Sequence, residues 1–137
     1  MTSIYEDPFY AVALEPDGMV VLRRSDLRVP SLDAQERSLD SICEALRLHL
    51  PTKAGGLLVD MRDAPPRNDD AFESTVRRFR TEIHAHFVRV AVVVRTIAGK
   101  LQVNRLDREQ HLDTATHAVF DDEDEARAFL SRARASA

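Results

Sequence analysis

The sequence predicts an α/β fold in which a mixed sheet opens with an antiparallel hairpin. Two short runs of β-forming residues flank a turn sequence near the N-terminus. After them, apolar strand-like segments and amphipathic helix-like segments alternate. Such alternation is typical of parallel strands joined by right-handed crossovers. The predicted order is β-β-α-β-α-β-α-β-α, in a single domain over residues 1–137.

The hairpin is predicted from Phe9–Leu14 and Met19–Leu22, with Pro16-Asp17-Gly18 as the turn between them. A helix is expected to begin after Ser31, a suitable N-cap, and to end before Pro51. Its apolar residues recur at helical spacing. They are Leu32, Leu39, Ile42, Cys43, Leu46 and Leu50.

The segment GGLLVDM, residues 55–61, is a continuous apolar run that predicts a covered strand. After a loop, Asp70 and Glu73 form a candidate capping box for a second helix. Steps of four, three, four and four mark the apolar face of that helix. Its residues are Phe72, Val76, Phe79, Ile83 and Phe87.

The second half of the chain continues the alternation. VRVAVVVRT, residues 88–96, predicts a central strand because its β-branched run is unbroken. Residues 98–110 have a weaker helical pattern, with an irregular segment as the alternative. HAVF, residues 117–120, predicts a short strand. Residues 121–135 predict a helix whose first-turn acids and final arginines suit the helix dipole, which explains DDEDE better than a calcium loop does.

Composition and charge exclude several functional classes. The net charge of −4 and the pI near 5.7 argue against a nucleic-acid or anionic-membrane binder. Cys43 is the only cysteine, which excludes an internal disulfide and a thiolate zinc site. The start of the chain lacks the pattern of a secretory signal, and no apolar run, Ala91–Val94 included, approaches the length of a membrane span. We therefore expect a cytoplasmic protein.

Three segments together resemble the STAS-type fold, and more closely the SpoIIAA-like branch of small stand-alone bacterial proteins. They are GGLLVDMRDAP, VRVAVVVRTIAGKLQVNRL and AVFDDEDEARAFL. With the opening hairpin, the resemblance covers nearly the whole chain. It implies a domain that acts mostly through protein–protein contact.

The chain departs from the regulatory members of that family at one position. Those members carry a phosphorylatable serine just after the third strand, at the start of the following helix. Here Asp60–Ala64 follow the strand, and no serine or threonine occurs before Ser74. The resemblance therefore implies the fold but not the phosphoserine switch.

The first candidate binding site lies where two predicted strands end. Asp60, Arg62 and Asp63 leave one strand, and Arg95 and Thr96 leave another that is a candidate neighbour. Ligands in open α/β sheets favour the crevice beyond the carboxyl ends of the strands. The competing interpretation is structural, with Asp60 accepting hydrogen bonds from loop N–H groups. Arg62 and Arg67 would keep the aspartates ionised, which argues against acid–base catalysis.

The segment EIHAHF, residues 82–87, resembles a metal clip. In a helix, however, His84 and His86 lie about 200° apart, because each residue turns about 100°. The helical pattern turns His86 toward the apolar face near Ile83 and places His84, after Arg80, on the wet side. We therefore predict no metal site there. His111 and His117 carry no signal by themselves.

Arg77, Arg78 and Arg80 form the third candidate. Such a group binds phosphate or an acidic partner in some proteins, but we interpret it as a solvated face paired with local acids. Cys43 lies on the apolar stripe of the first helix, so we predict a buried core thiol.

The sequence thus favours a non-enzymatic interaction domain that binds a protein partner and needs no cofactor, with a homodimer as one form. The alternative is a carrier or sensor of a small anionic or lipid-like ligand, held in the crevice near Asp60–Asp63 and Arg95 or between helices. An enzyme ranks third, and requires His117 or His111 to fold back against the Asp60 loop.

Overall fold

The computed structural model describes residues 1–50, 54–65 and 70–135. Six strands and four helices follow one another in these ranges. They are β1 (Thr2–Glu6), β2 (Tyr10–Leu14), β3 (Val20–Arg24), α1 (Leu32–His49), β4 (Ala54–Asp60), α2 (Asp70–His84), β5 (Phe87–Val93), α3 (Ile97–Glu109), β6 (His117–Phe120) and α4 (Glu123–Ala135).

The strands form one mixed sheet in the order β1-β2-β3-β4-β5-β6. The pairs β1–β2 and β2–β3 are antiparallel, and the pairs from β3 to β6 are parallel. The predicted α/β class, with its opening antiparallel hairpin, is confirmed. The strand β1 was not predicted, because five residues of mixed polarity give little periodicity of their own; β1 is fixed by pairing with β2.

The predicted hairpin turn is present between β2 and β3. Gly18 has a φ of +91°, in the region that favours glycine. Its N–H donates to the carbonyl of Glu15 at 2.9 Å, and the N–H of Met19 donates to Asp17 Oδ1 at 3.0 Å. Local turn chemistry therefore sets the register of this hairpin.

The sheet separates two apolar cores. On one face, residues of α1 and α2 pack on alternate strand residues, and Val103 of α3 packs against them. On the other face, Ala126, Phe129 and Leu130 of α4 pack on Leu58, Ala91 and Val93. The three crossover helices lie on one face because right-handed crossovers between strands in sequential order place them there. Helix α4 then covers the face that remains.

The predicted start of α1 is confirmed. Ser31 is the N-cap, and its hydroxyl accepts a hydrogen bond from the N–H of Ala34 at 3.1 Å. The predicted stop, Pro51, lies outside the described residues. Cys43 is buried as predicted, and burial, followed by the proximity of Glu82, raises the pKa of its thiol to about 12.

The limits of the next elements differ from prediction. Asp70 is the first residue of α2 and not its cap, and the helix ends at His84, so Phe87 begins β5 instead of closing the helix face. Phe87 pairs with Ala54 of β4, and this pairing makes Phe87 part of the sheet. The segment after β5 is helical, which settles the alternative left open by its weak pattern.

Helix α4 begins as its acidic sequence predicts. Asp122 Oδ1 accepts hydrogen bonds from the N–H groups of Asp124 at 2.7 Å and Glu125 at 3.3 Å. The helix lies very close to β4 at Gly56, where an added Cβ would be 3.2 Å from the Cβ of Leu130. Gly56 therefore permits the close approach of α4 to the sheet.

Candidate functional site

Asp60 lies at the edge of the sheet where the parallel strands end. It is the last residue of β4, in register with Arg23 on β3 and Val93 on β5. Because side chains alternate along a strand, Asp60 faces the same side as Leu58, which packs against α4. The sheet therefore directs the carboxylate toward the start of α4.

The buried carboxylate of Asp60 receives hydrogen bonds from two arginines. The Nε and Nη2 of Arg62 donate to it at 2.9 and 2.8 Å, and the Arg62 backbone N–H donates at 3.1 Å. Arg23 Nη1 also donates to it. Burial by itself raises the pKa of Asp60, but the bonds from Arg62 and the charge of Arg23 outweigh burial and leave that pKa below its ordinary value.

The same ion pairs continue onto α4. Glu123 accepts hydrogen bonds from Arg62 Nη2 at 2.6 Å and Arg127 Nε at 2.9 Å, and Arg127 holds Glu15 through two bonds of 2.8 and 3.2 Å. The bond from Arg127, followed by the influence of Arg23, leaves the pKa of Glu123 below its ordinary value despite burial. We call these six side chains the Asp60 network: Glu15, Arg23, Asp60, Arg62, Glu123 and Arg127.

The Asp60 network is balanced in charge. Three carboxylates face three guanidinium groups, so the cluster carries no excess charge that would attract an anion or a cation. Because Asp60 and Glu123 remain ionised near neutral pH, neither carboxyl group carries a proton that it could donate. These contacts support the structural interpretation of Asp60, in which the carboxylate anchors α4 to the sheet.

The other predicted site residues make separate contacts. Asp63 and Arg95 form an exposed ion pair of 2.9 Å, which brings together the loop after β4 and the end of β5. Thr96 is the N-cap of α3, and its hydroxyl accepts a hydrogen bond from the N–H of Gly99 at 3.0 Å. The five predicted residues therefore share one edge of the sheet but divide between the network and an exposed rim.

Of the three arginines predicted as a charged face of α2, Arg77 and Arg80 pair with acids, whereas the guanidinium of Arg78 lies 4.5 Å from the centroid of the Phe79 ring. Arg77 contacts Glu73 at 3.0 Å and Glu109 at 2.6 Å. Arg80 binds Asp107 at 2.6 Å, and both of these side chains are largely buried. The partners Glu109 and Asp107 lie on α3, so these ion pairs join the two helices. The Arg77–Glu109 pair is exposed, as predicted for a solvated face, whereas the buried Arg80–Asp107 pair is not.

The positions predicted for the two histidines of EIHAHF are wrong. His84 is buried, whereas His86 is half-buried in the turn beyond α2. Helix α3 and strand β6 cover the side of α2 that carries Arg80 and His84, which the periodicity of one helix does not reveal. The ring of His84 lies 5.3 Å from that of His117, a residue that no sequence pattern had connected with it.

One of the two histidines that the enzyme hypothesis allows, His117, lies away from Asp60. His117 is the first residue of β6 and is in register with Val90, whereas Asp60 is in register with Val93. Three residues along the strand separate the two rows by about 10 Å. His117 therefore lies toward the starts of the parallel strands, whereas Asp60 lies at their carboxyl ends.

Within residues 1–50, 54–65 and 70–135, no group of three or more His, Cys, Asp or Glu side chains is arranged to hold a metal ion. No helix in these ranges has the length and apolar character needed to cross a membrane. No protein-family model, curated protein or solved structure matches the chain. The STAS-like identity therefore stays a prediction from the sequence.

Proposed function

We propose that this chain is a non-enzymatic regulatory domain of STAS-like type that binds a protein partner without the usual phosphoserine. The observation that carries the proposal is an apolar face at the start of α3. Ile97 is 81% exposed and Leu101 is 64% exposed, and residues four apart lie on the same side of a helix. Two large apolar side chains side by side in solvent are typical of a contact surface.

The surroundings of this face suit a protein more than other partners. Leu101 borders a groove of about 480 Å³ between α2 and α3, where Arg105 pairs with Glu73 at 2.7 Å. Arg95, which forms an exposed ion pair with Asp63 at 2.9 Å, lies just before the start of α3 in the sequence. A rim that carries both signs of charge around an apolar centre resembles a protein interface, whereas an anionic membrane or nucleic acid would favour positive charge alone.

We call this surface the α3 face: Asp63, Glu73, Arg95, Ile97, Leu101 and Arg105. It includes two of the site residues predicted from the sequence. Their proposed role is to border the contact, where charges influence partner choice and association rate more than affinity.

The alternative, a small-ligand carrier that uses the crevice near Asp60–Asp63, has less support. An anionic ligand there would need guanidinium groups that are not already neutralised. Arg62 and Arg23 both contact Asp60 and Glu123. An incoming anion would have to displace these carboxylates.

The proposal is tested with a double variant, Ile97→Glu with Leu101→Glu. Both positions are exposed, and a glutamate at Ile97 is favoured by the helix dipole, so we expect the fold to be retained. Proteins recovered from the native host with the tagged wild-type chain are compared by quantitative mass spectrometry with those recovered by the variant. We expect at least one protein to be lost. Once purified, that protein should bind the wild-type chain directly, and the variant at least about tenfold more weakly.

The matched control is Leu48→Glu, which changes an equally exposed apolar residue, 74% exposed, on α1. This control should retain the partner. Light scattering of the purified chain adds a second reading, because a dimer that dissociates in the double variant would identify a second copy as the partner. The proposal would be contradicted by two results together: the purified wild-type chain is a monomer, and the wild-type chain, the double variant and the control all recover the same proteins.

A further inference from the structure

The first half of α3, residues 97–102, has no buried side chain. In Ile97–Glu109 the buried residues are Leu106 and Asp107, and both lie in the second half of the helix. Ile97 is 81% exposed and Leu101 is 64% exposed. Helices in proteins gain most of their stability from the packing of an apolar face. The first half of α3 is therefore the part of this helix that a second molecule would cover.

One ion pair lies at each end of the α3 face. Arg95, just before the helix, pairs with Asp63 at 2.9 Å, and Arg105 pairs with Glu73 at 2.7 Å. The two exposed apolar residues lie between Arg95 and Arg105 in the sequence. Each end thus carries one carboxylate and one guanidinium group. The order along the face is ion pair, two apolar residues, ion pair, and it is the same from either end.

This symmetric order makes the surface complementary to itself. In a dimer with a two-fold axis, the same patch of both copies forms the contact, so residue i contacts j and j contacts i. Ile97 and Leu101 lie about 6 Å apart along the helix. An axis perpendicular to α3 and midway between them brings Ile97 of one copy against Leu101 of the second copy. The two α3 helices then lie antiparallel.

The same rotation brings opposite charges together at both ends of the contact. Arg105 lies about 6 Å beyond Leu101 along the helix, and Arg95 precedes Ile97 by two residues. Asp63 of one copy can therefore meet Arg105 of the second copy, and Arg95 can meet its Glu73. Each meeting occurs twice because the copies are identical. Opposite charges across an interface favour that pairing, whereas like charges would oppose it.

The groove beside Leu101 provides a place for the apolar side chain of the second copy. This groove, of about 480 Å³, is bordered by Ala98, Leu101 and Gln102 on α3. Ile97 projects from the same helix and is almost fully exposed. Two helices commonly associate when an apolar side chain of one enters a hollow on the other. Each copy therefore offers one side chain and one hollow.

We propose that the α3 face binds a second copy of this chain, with the two α3 helices antiparallel across a two-fold axis. This inference rests on the function proposed above and identifies its partner as the chain itself. A partner of unrelated sequence does not require a face that is the same from both ends, whereas a second copy does. Because the face is small, we expect a weak dimer with a dissociation constant of about 10–100 μM.

Sedimentation velocity of the purified full chain measures this dimer over concentrations from about 1 to about 500 μM, which span the expected dissociation constant. We expect the mass to rise from that of one chain toward that of two. The double glutamate variant, Ile97→Glu with Leu101→Glu, should remain a monomer throughout. Leu48→Glu, the control with an equally exposed apolar residue, should dimerise as the wild-type chain does.

An exchange of charges tests the antiparallel arrangement. Asp63→Arg alone, or Arg105→Glu alone, places like charges opposite each other at two symmetric contacts, so we expect the dissociation constant to rise about tenfold. The two changes together restore opposite charges across the interface, and the dissociation constant should return to within about threefold of the wild-type value. Within one copy, Asp63 and Arg105 have different partners, so the combined variant restores no contact inside the chain.

Arg37→Glu is the matched control for the charge exchange. It makes the same charge change at an exposed residue of α1, away from the α3 face, and should leave the dissociation constant unchanged.

Three results would overturn the inference. The first is a wild-type chain that is a monomer at about 500 μM, beyond the expected range. The proposed function would survive this result if the double glutamate variant still loses a host protein other than the chain itself. The second is a dimer that the double glutamate variant leaves intact. The third is a dimer that Arg105→Glu weakens but that the added Asp63→Arg does not restore.

Discussion

The buried imidazole of His84 makes the stability of this fold depend on pH below neutrality. Burial, followed by Arg80 and His117, lowers the pKa of His84 from 6.5 to about 3. Between these two values the unfolded chain binds a proton that the folded chain does not bind. The free energy of unfolding therefore falls as the pH falls through this window. Integrated from about pH 7.5 to pH 5, the loss from His84 alone is about 2 kcal/mol.

Urea unfolding followed by circular dichroism measures this loss in the wild-type chain and in His84→Phe. Between these two pH values, we expect the free energy of unfolding of His84→Phe to fall by about 2 kcal/mol less than that of the wild-type chain. The carboxyls of Asp60 and Glu123 contribute little between these pH values, because a lowered pKa changes stability mainly below the unfolded value, which is 3.8 for Asp60 and 4.5 for Glu123, and both chains share this contribution. His86→Phe is the control. Parallel curves for the wild type and His84→Phe would refute the reasoning.

Two further predictions concern the contacts of β4. Arg62→Met removes the main partner of the buried Asp60, so we expect unfolding to require about 2 kcal/mol less, and the exposed Arg95→Met to change it by less than about 0.5 kcal/mol. Gly56→Ala places a methyl group 3.2 Å from the Cβ of Leu130, and we expect a loss of about 1–3 kcal/mol from the displaced helix. Both are measured by chemical denaturation at neutral pH.

The outcomes that contradict these predictions are specific. Equal effects of Arg62→Met and Arg95→Met would show that burial of the Asp60 network adds nothing to its strength. A neutral or stabilising Gly56→Ala would show that α4 yields to the methyl group without loss of packing.

Local sequence determined most of the elements of this protein. Ser31 and Asp122 act as helix caps, Gly18 shapes the hairpin turn, and each depends on bonds between residues close in the chain. The alternation of apolar segments was sufficient to predict an α/β sheet with an opening hairpin. In contrast, β1 was missed, and Phe87 was assigned to the wrong element, because strand pairing decided both.

The candidate sites depended on tertiary structure more than the helices and strands did. The sequence placed Asp60, Arg62, Asp63, Arg95 and Thr96 at one sheet edge because each follows a strand. It did not reveal that Arg23 and Glu123 neutralise the first two of these residues, since the network joins residues as far apart as 23 and 123.

His84 shows the same limit most clearly. Its own helix places it on the side of Arg80, which a periodicity argument assigns to solvent. Only the packing of α3 and β6 against α2 buries the ring and brings His117 beside it. Short-range hydrogen bonds and apolar periodicity are encoded locally, whereas burial and charge pairing between distant segments exist only once the sheet has assembled them.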